Sequence, residues 1–165
     1  MALTSTVAAS PMFSLGVTET LNGDAVTNQV VAFGDHEIRP GNLSSTSTIP
    51  VSVHSQQEYA LASGTKTIDL QALATLLSAT TDVSGKKLQG LRVTNPDGNA
   101  ALTVTGEGAN GYSLGGAITL PAASGGDVAL ILWAPESLAD VASGDRYLVF
   151  TGTGSQEFYL DLLIG

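Results

Sequence analysis

Three runs near the C-terminus decide the fold of this chain: Asp127-Val-Ala-Leu-Ile-Leu-Trp133, Arg146-Tyr-Leu-Val-Phe-Thr151 and Gln156-Glu-Phe-Tyr-Leu-Asp-Leu-Leu-Ile164. All three are rich in leucine, β-branched and aromatic residues, and turns rich in glycine, serine and aspartate separate them. Short apolar runs bounded by such turns are typical of strands that are at least half buried. The pattern predicts three strands of a sheet, and we expect the final strand to tie down the C-terminus.

Strand signals continue upstream as far as residue 13. Apolar and polar residues alternate over residues 13–18, Gln29-Val-Val-Ala-Phe33 is a second apolar run, and the turn Asn22-Gly23-Asp24 lies between them. Residues 34–47 are polar and contain Pro40-Gly41, which predicts a long loop. From residue 49 to residue 62 the pattern favours two strand pieces.

A short helix is predicted over residues 70–78. Its leucines recur at helical spacing as Leu70, Leu73, Leu76 and Leu77. Asp69 precedes them and can cap the free amides of the first turn. A helix of two turns is marginal alone, so we expect its leucines to rest on the sheet.

Two turns predict hairpins in the second half of the chain. Asn95-Pro96-Asp97-Gly98 places proline and glycine where a type I turn favours them. Residues 87–94 and 101–105 on either side are therefore predicted to pair. Gly152-Thr-Gly-Ser155 separates two of the C-terminal runs in the same way.

Together these signals predict an all-β fold, a jelly-roll-like β-sandwich with one short helix. Residues 1–11 are small and polar and predict an N-terminal arm, and residues 12–165 are predicted to form a single β-sandwich domain. The predicted core consists of the period-2 apolar sets: Leu91, Val93, Leu102, Val104, Leu130, Leu132, Leu148, Phe150, Phe158 and Leu160.

Charge is scarce in this chain, and the balance is acidic. Charged residues are 13% of the 165 residues and hydrophobic residues 43%, whereas about 25% charged is typical of soluble domains. Either Ser, Thr and Asn coat the surface, or part of it is buried against copies of the chain or a partner. We expect self-association. The net charge is −9, and Lys86-Lys87, the one adjacent pair of bases, is expected to be solvated. Nucleic-acid binding needs clustered bases, so it is not expected.

The sequence also limits redox chemistry and membrane association. Cysteine is absent, which excludes disulfides, thiolate zinc sites and cysteine nucleophiles. The first ten residues lack the positive and apolar regions of a signal peptide, and no run reaches 18 apolar residues. We therefore expect a protein that is made in the cytoplasm and has no membrane partner.

No catalytic, cofactor-binding or metal-binding residue is predicted. The only histidines, His36 and His54, lie in or beside polar segments, and Asp35-His36-Glu37 lacks the ligand spacing of a zinc site. His54 is expected to face away from Val53 on a strand, at the surface or in an interface. An enzyme with two catalytic carboxylates remains an alternative, because any acidic chain offers pairs.

The acidic residues at turns have a simpler explanation, since Asp is favoured there for hydrogen bonds to nearby backbone. They are Asp82, Asp97, Glu107, Asp127 and Asp145. Tyr112 and Trp133 could stack on a sugar. With nine aromatic residues in the chain, we expect both to serve the core or an interface instead.

Several segments resemble one known group of proteins. They are Gln56-Gln-Glu-Tyr-Ala-Leu61, Thr67-Ile-Asp-Leu70, Leu88-Gln-Gly-Leu-Arg-Val-Thr-Asn95, Asn110-Gly-Tyr-Ser-Leu-Gly115 and Gly152-Thr-Gly-Ser-Gln-Glu-Phe-Tyr-Leu-Asp-Leu162. Over about two thirds of the chain this cadence of strands and turns is similar to that of the small β-sandwich virion proteins of tailed bacteriophages. The resemblance implies a protein that decorates or cements a capsid, often as a trimer. It contains no catalytic signature.

The sequence therefore favours a non-enzymatic capsid decoration or cement protein on the virion surface, made in the host cytoplasm. Its expected partners are copies of itself, in a homotrimer, and the major capsid protein. Many modest contacts repeated by symmetry would provide adhesion. The alternative is a carbohydrate- or receptor-binding β-sandwich module of a fibre or tail, which a groove with exposed aromatic side chains would favour.

Overall fold

A computed structural model of the chain describes residues 13–23, 26–38, 51–75, 80–106, 108–134 and 137–165. The chain divides into two compact units, one of them Ala9–Asn42 and the other including Leu43–Gly165. The predicted domain of residues 12–165 spans parts of both. The predicted arm, residues 1–11, lies outside the described residues.

The described part of the smaller unit is an antiparallel hairpin of β1 (Phe13–Gly23) and β2 (Val26–Ile38). Its pairing runs from Gly23 opposite Val26 to Phe13 opposite Ile38. The loop predicted over residues 34–47 is therefore wrong as far as residue 38, and residues 39–47 lie outside the described part. The strand continues through this polar segment because the alternating N-terminal half of β1 supplies its hydrogen-bonding partner.

The larger unit contains eight strands in chain order: β3 (Val53–Ala60), β4 (Thr65–Asp69), β5 (Leu88–Asn95), β6 (Leu102–Thr105), β7 (Ile118–Leu120), β8 (Val128–Trp133), β9 (Tyr147–Thr151) and β10 (Glu157–Ile164). They form a first sheet with the order β3-β10-β5-β8 and a second sheet with the order β4-β9-β6-β7. All neighbours are antiparallel. Successive strands change sheet at every connection except β6 to β7. This is the strand order of a jelly roll, which confirms the predicted fold class.

Alternate residues of the two sheets meet in a common core. Phe150 of the second sheet stacks on Phe158 of the first, with ring centroids 4.4 Å apart. The predicted core residues are buried except Leu130 and Leu132, which are half-buried and pack against the core from one side. These two face inward as predicted, but β8 is the edge strand of its sheet, so one flank is left uncovered.

Both predicted hairpins are wrong, because each turn joins strands of different sheets. β5 pairs with β10 and β8, whereas β6 pairs with β7 and β9. Asn95 at the first turn is fully buried, and its amide donates to the carbonyls of Ala100 and Pro121 at 3.0 and 3.1 Å. The chain thus crosses the edge of the sandwich, and the apolar sets of both strands face the same core from opposite sides. The turn at residues 152–155 crosses from β9 to β10 in the same way.

The predicted helix near residues 70–78 is present as one 3₁₀ turn, Leu70–Ala72. Asp69 caps it as expected, since its side chain accepts from the amide of Gln71 at 2.9 Å. Leu73 is already extended and pairs with Thr81 through two backbone hydrogen bonds, which ends the turn. Leu76 and Leu77 lie outside the described residues. The two strand pieces predicted around Ser55 are one strand, β3.

Candidate interaction surface

The outer face of the first sheet carries the candidate site. Because side chains alternate between the two faces of a strand, the outward residues of the four strands line up in three rows. The Tyr159 row is Glu58, Tyr159, Thr94 and Ala129; the Arg92 row is Gln56, Asp161, Arg92 and Ile131; the Trp133 row is His54, Leu163, Gly90 and Trp133.

An apolar patch, defined as Ile131, Trp133 and Leu163, occupies one corner of this face on and near the edge strand β8. Ile131 is 52% exposed, an unusual state for a side chain of its size. Trp133 lies against Gly90, where an added Cβ would stand 3.3 Å from Trp133 Cε3 and 3.2 Å from Leu163 Cδ1. The missing side chain of Gly90 therefore makes room for the indole. Trp133 Nε1 is buried and has no acceptor among the described residues.

One ion pair lies in the middle row. Arg92 Nε and Asp161 Oδ2 are 2.7 Å apart, and the side chains are 50% and 14% exposed respectively. An exposed pair of this kind contributes little to stability, about 0–1 kcal/mol. Its effect here is that the charge of Arg92 is locally neutralised.

A polar depression of about 500 Å³ lies on the same face, beside the apolar patch. Its lining includes Gln56, Glu58, Arg92, Thr94, Asp127 and Tyr159. Tyr159 is 42% exposed and stands on β10, a central strand, between Glu58 and Thr94 of the neighbouring strands. The depression thus combines one exposed aromatic ring with hydroxyl, amide, carboxylate and guanidinium groups.

Asp127 is held at the edge of the depression by two connected loops. The amide of Asp97 donates to Asp127 Oδ1 at 2.9 Å. In return, Asp97 Oδ1 accepts from the amides of Gly125 and Gly126 at 2.8 and 3.1 Å. The turn aspartates were predicted to bond to nearby backbone. For Asp97 and Asp127 the local explanation is wrong, because the backbone groups at the other ends of these hydrogen bonds lie about thirty residues away in sequence.

The outer face of the second sheet has a different composition. We define the threonine face as Thr65, Thr67, Thr103, Thr105, Thr119 and Thr151. Four of them, Thr65, Thr151, Thr103 and Thr119, form one continuous row across all four strands. Thr103 Oγ1 and Thr119 Oγ1 are 2.8 Å apart.

The histidine and lysine predictions have mixed outcomes. His54 is exposed on β3, as predicted, while His36 lies in β2 and not in a loop. The lysine pair follows an exposed turn at Ser84-Gly85, as predicted, but it is only partly solvated, since Lys86 Nζ donates to Ser52 Oγ at 2.7 Å. Lys87 is half-buried, with its Nζ 2.7 Å from Asp140 Oδ1. The strand end at residue 88 brings both side chains against neighbouring loops.

The two aromatic residues singled out from the sequence are not exposed platforms. Tyr112 is fully buried; its hydroxyl donates to the carbonyl of Ala139 at 2.6 Å and accepts from the amide of Leu88 at 3.2 Å. Burial raises the pKa of Tyr112. Its role in the core is as predicted. Trp133 is half-buried on the outer face of the first sheet.

None of the contacts among the described residues brings two turn carboxylates together as a catalytic pair. Asp82 accepts from the hydroxyl and the amide of Ser84, and these hydrogen bonds lower the pKa of Asp82. Asp145 closes a tight turn with Ala142 through two backbone hydrogen bonds. Glu107 lies outside the described residues.

One motif was overlooked in the sequence: Gly111-Tyr-Ser-Leu-Gly115 matches the Gly-x-Ser-x-Gly pattern of serine hydrolases. That pattern is meaningful where a strand turns sharply into a helix. Here it lies in the connection from β6 to β7, and Tyr112 and Leu114 bury their side chains in the core while Ser113 is exposed. The spacing arises from core packing, and the structural context of a nucleophile elbow is missing.

Within the described ranges, no group of three or more His, Asp or Glu side chains is placed to hold a metal ion. The same residues include no helix that is long and apolar enough to cross a membrane. No protein-family model matches the chain, and no curated protein or solved structure matches it.

Sequence reasoning singled out Trp133 and Asp127 but missed Ile131 and Tyr159, the exposed large side chains of the two surfaces on the first sheet. Ile131 and Tyr159 alternate with core residues along their strands, so the sequence pattern could have predicted that they face outward. Their neighbours Glu58, Arg92 and Asp161 could not be predicted in this way, because the pairing of β3, β5 and β10 joins segments far apart in sequence.

Proposed function

We propose that this protein is a non-enzymatic structural protein of a tailed-bacteriophage virion, which decorates or cements the capsid surface as a homo-oligomer, most simply a trimer. The observation that carries the proposal is the apolar patch: Ile131 is 52% exposed beside Trp133 and Leu163, at the edge of the first sheet. Contiguous exposed apolar side chains mark contact surfaces. The jelly-roll strand order supports it, as viral capsid domains use this architecture, although a fold alone does not assign a function.

The expected occupant of the apolar patch is a second copy of the chain. Arg92, which pairs with Ile131 across the strands, is neutralised by Asp161, so the net charge beside the patch opposes self-association little. β8 is also an edge strand, whose outer backbone groups are available to a neighbour.

A cyclic trimer would suit a capsid lattice, which has three-fold and quasi-three-fold positions. Three copies then present three identical contacts at once to the major capsid protein. Linked contacts of this kind raise the overall affinity by about 10²–10⁴ without any new contact. Weak individual binding sites are sufficient for a cement protein.

The test measures the mass of the purified chain by size-exclusion chromatography with light scattering. We expect a trimer that persists in high salt, because apolar burial is hardly screened. Ile131→Asp should yield a monomer, whereas Thr65→Asp on the threonine face should leave the trimer intact. Circular dichroism confirms that both variants are folded, and Ile131→Ser serves if the charged variant is not. A wild-type monomer at micromolar concentration would contradict the proposal.

Attachment is tested by co-sedimentation with capsids assembled without the protein. The wild type and Thr65→Asp should pellet with the capsids, and Ile131→Asp should largely remain in the supernatant because avidity is lost. A trimer that fails to pellet would contradict the capsid role while leaving self-association in place.

A further inference from the structure

The polar depression is a second surface, distinct from the apolar patch in position and chemistry. The two surfaces adjoin along the Arg92 row: Ile131 at one end of that row belongs to the patch, whereas Gln56 and Arg92 line the depression, which extends towards Tyr159 and Asp127. No residue of the patch lines the depression. The capsid role uses the patch and leaves the depression unexplained.

Although the depression is open to solvent, its size and lining are compatible with a small polar ligand. A volume of about 500 Å³ falls within the roughly 300–1,000 Å³ of small-molecule sites. Such sites combine apolar or aromatic area with a few polar groups that fix orientation. Here Tyr159 supplies the aromatic area, and Gln56, Glu58 and Asp127 surround it with hydrogen-bonding groups.

This pairing of groups matches the chemistry of a sugar ring. A pyranose has an apolar C–H face that can stack on an aromatic ring, and a rim of hydroxyls that both donate and accept hydrogen bonds. Tyr159 is 42% exposed on a central strand, so a ligand can reach its side chain. Carboxylates accept from sugar hydroxyls, and the amide of Gln56 can do either.

The charges of the depression select among sugars. Arg92 is already paired with Asp161 at 2.7 Å. Glu58 and Asp127 both line the depression, and neither belongs to an ion pair among the residues that the structure describes. A carboxylated or sulfated sugar would therefore meet uncompensated negative charge, which is unfavourable in a partly enclosed site.

We propose that the polar depression binds a neutral oligosaccharide, with Tyr159 as the stacking platform and Gln56, Glu58 and Asp127 as hydrogen-bonding groups. This activity is independent of the capsid role: a monomeric chain that never attaches to capsids could still have it. On a virion surface it would give the particle a weak affinity for glycans, multiplied by the number of copies.

The test uses isothermal titration calorimetry on the full chain with defined probes. These are maltotriose, cellotriose and triacetylchitotriose, together with lactose and sialyllactose as a pair that differs by one carboxylated sugar. We expect binding of at least one neutral probe in the millimolar range or tighter, and weaker binding of sialyllactose than of lactose. Absence of heat for every neutral probe at high millimolar concentration, or a preference for sialyllactose, would overturn the proposal.

Variants locate the site. Tyr159→Ala should weaken binding at least about tenfold, which corresponds to about 1.4 kcal/mol, whereas Tyr159→Phe keeps the ring and should stay close to the wild type. Thr67→Ala, on the other sheet, is the matched control and should bind normally. Thermal melts establish that each variant is folded. Full affinity in Tyr159→Ala would place any binding elsewhere and refute this assignment.

Discussion

The two outer faces of the sandwich are built by the same alternation of side chains, yet they differ in what they can hold. The first sheet presents Ile131, Tyr159 and Trp133 around the ion pair of Arg92 and Asp161. The second presents the threonine face, whose side chains are short and uncharged. Large side chains offer contact area and charge offers orientation. On the second sheet Asp69 and Tyr147 supply these at one end of the outer face, away from the threonine row, whereas the first face has Arg92 and Asp161 directly beside its exposed isoleucine.

The difference also answers how a chain with so little charge covers itself. Threonine hydroxyls coat the second sheet, which is one of the two solutions that the composition allowed. The first sheet keeps exposed apolar area at Ile131, which the proposed self-association would cover. Composition alone predicts that a surplus exists, but only the pairing of strands places it on one face.

The comparison between the two faces assumes that both sheets belong to one rigid sandwich. Phe150→Ala tests whether the aromatic contact between the sheets holds them together. Phe150 is fully buried and stacks on Phe158 of the opposite sheet at 4.4 Å. Its truncation leaves a cavity between the sheets and should lower the free energy of unfolding by about 3–5 kcal/mol. Urea denaturation followed by circular dichroism measures the loss.

Leu132→Ala is the matched control for the core, because Leu132 faces inward on the edge strand β8 and is only half-buried. Its loss should stay below about 2 kcal/mol, the lower end for fully buried leucines. If Phe150→Ala costs no more than Leu132→Ala, the aromatic stack does not join the two sheets.

Gly90→Ala tests how Trp133 packs on the outer face of the first sheet. The new Cβ would approach Trp133 Cε3 at 3.3 Å and Leu163 Cδ1 at 3.2 Å, so the indole must shift. Because Trp133 is half-buried and can move outward, the cost should be about 1 kcal/mol, at the low end for overpacking. Trp133 is the only tryptophan of the chain, so its fluorescence emission should change, and self-association should weaken.

Gly144→Ala provides the control for that substitution. A Cβ at Gly144 has no neighbour within 4 Å, so the emission and the oligomer mass should match those of the wild type. An unchanged emission spectrum in Gly90→Ala would show that the indole does not lie on Gly90.

Local patterns were sufficient to predict the strands but not their partners. The run from Asp127 to Trp133 has the composition and period of a strand wherever it pairs, and β8 confirms it. The turn at Asn95-Pro96-Asp97-Gly98 looks the same in a hairpin and in a crossing between sheets. What decides between them is the burial of Asn95 against Ala100 and Pro121, a tertiary contact.

The candidate surfaces depend on that same long-range information. Tyr159 and Glu58 are a hundred residues apart in sequence and become neighbours through the pairing of β10 with β3. No local spacing encodes such a contact. For this reason Tyr112 and Trp133 were considered as sugar-stacking residues from the sequence, whereas Tyr159 was not. The short turn Leu70–Ala72 illustrates the opposite error, since leucines at helical spacing were assigned to a helix that the pairing of Leu73 with Thr81 cuts short.

The smallest expected effect comes from Thr119→Val on the threonine face. Thr119 shares a hydrogen bond with Thr103 across two strands, with their Oγ1 atoms 2.8 Å apart at the surface. Valine keeps the shape and the preference for strands but removes the hydroxyl, and water can replace the lost partner of Thr103. Exposed cross-strand pairs of this kind contribute about 0.2–1 kcal/mol, so the change in unfolding free energy should stay within about 0.5 kcal/mol.

The oligomer mass and the affinity for oligosaccharides should also be unchanged in Thr119→Val, with Thr119→Ser as the variant that keeps the hydroxyl. A threonine face that only coats the sandwich tolerates this loss, because no partner depends on the regular row from Thr65 to Thr119. If Thr119→Val instead shifts the oligomer mass while Thr119→Ser does not, the hydroxyl row is itself a contact surface. The functional contrast between the two faces would then be wrong, even though their compositions differ.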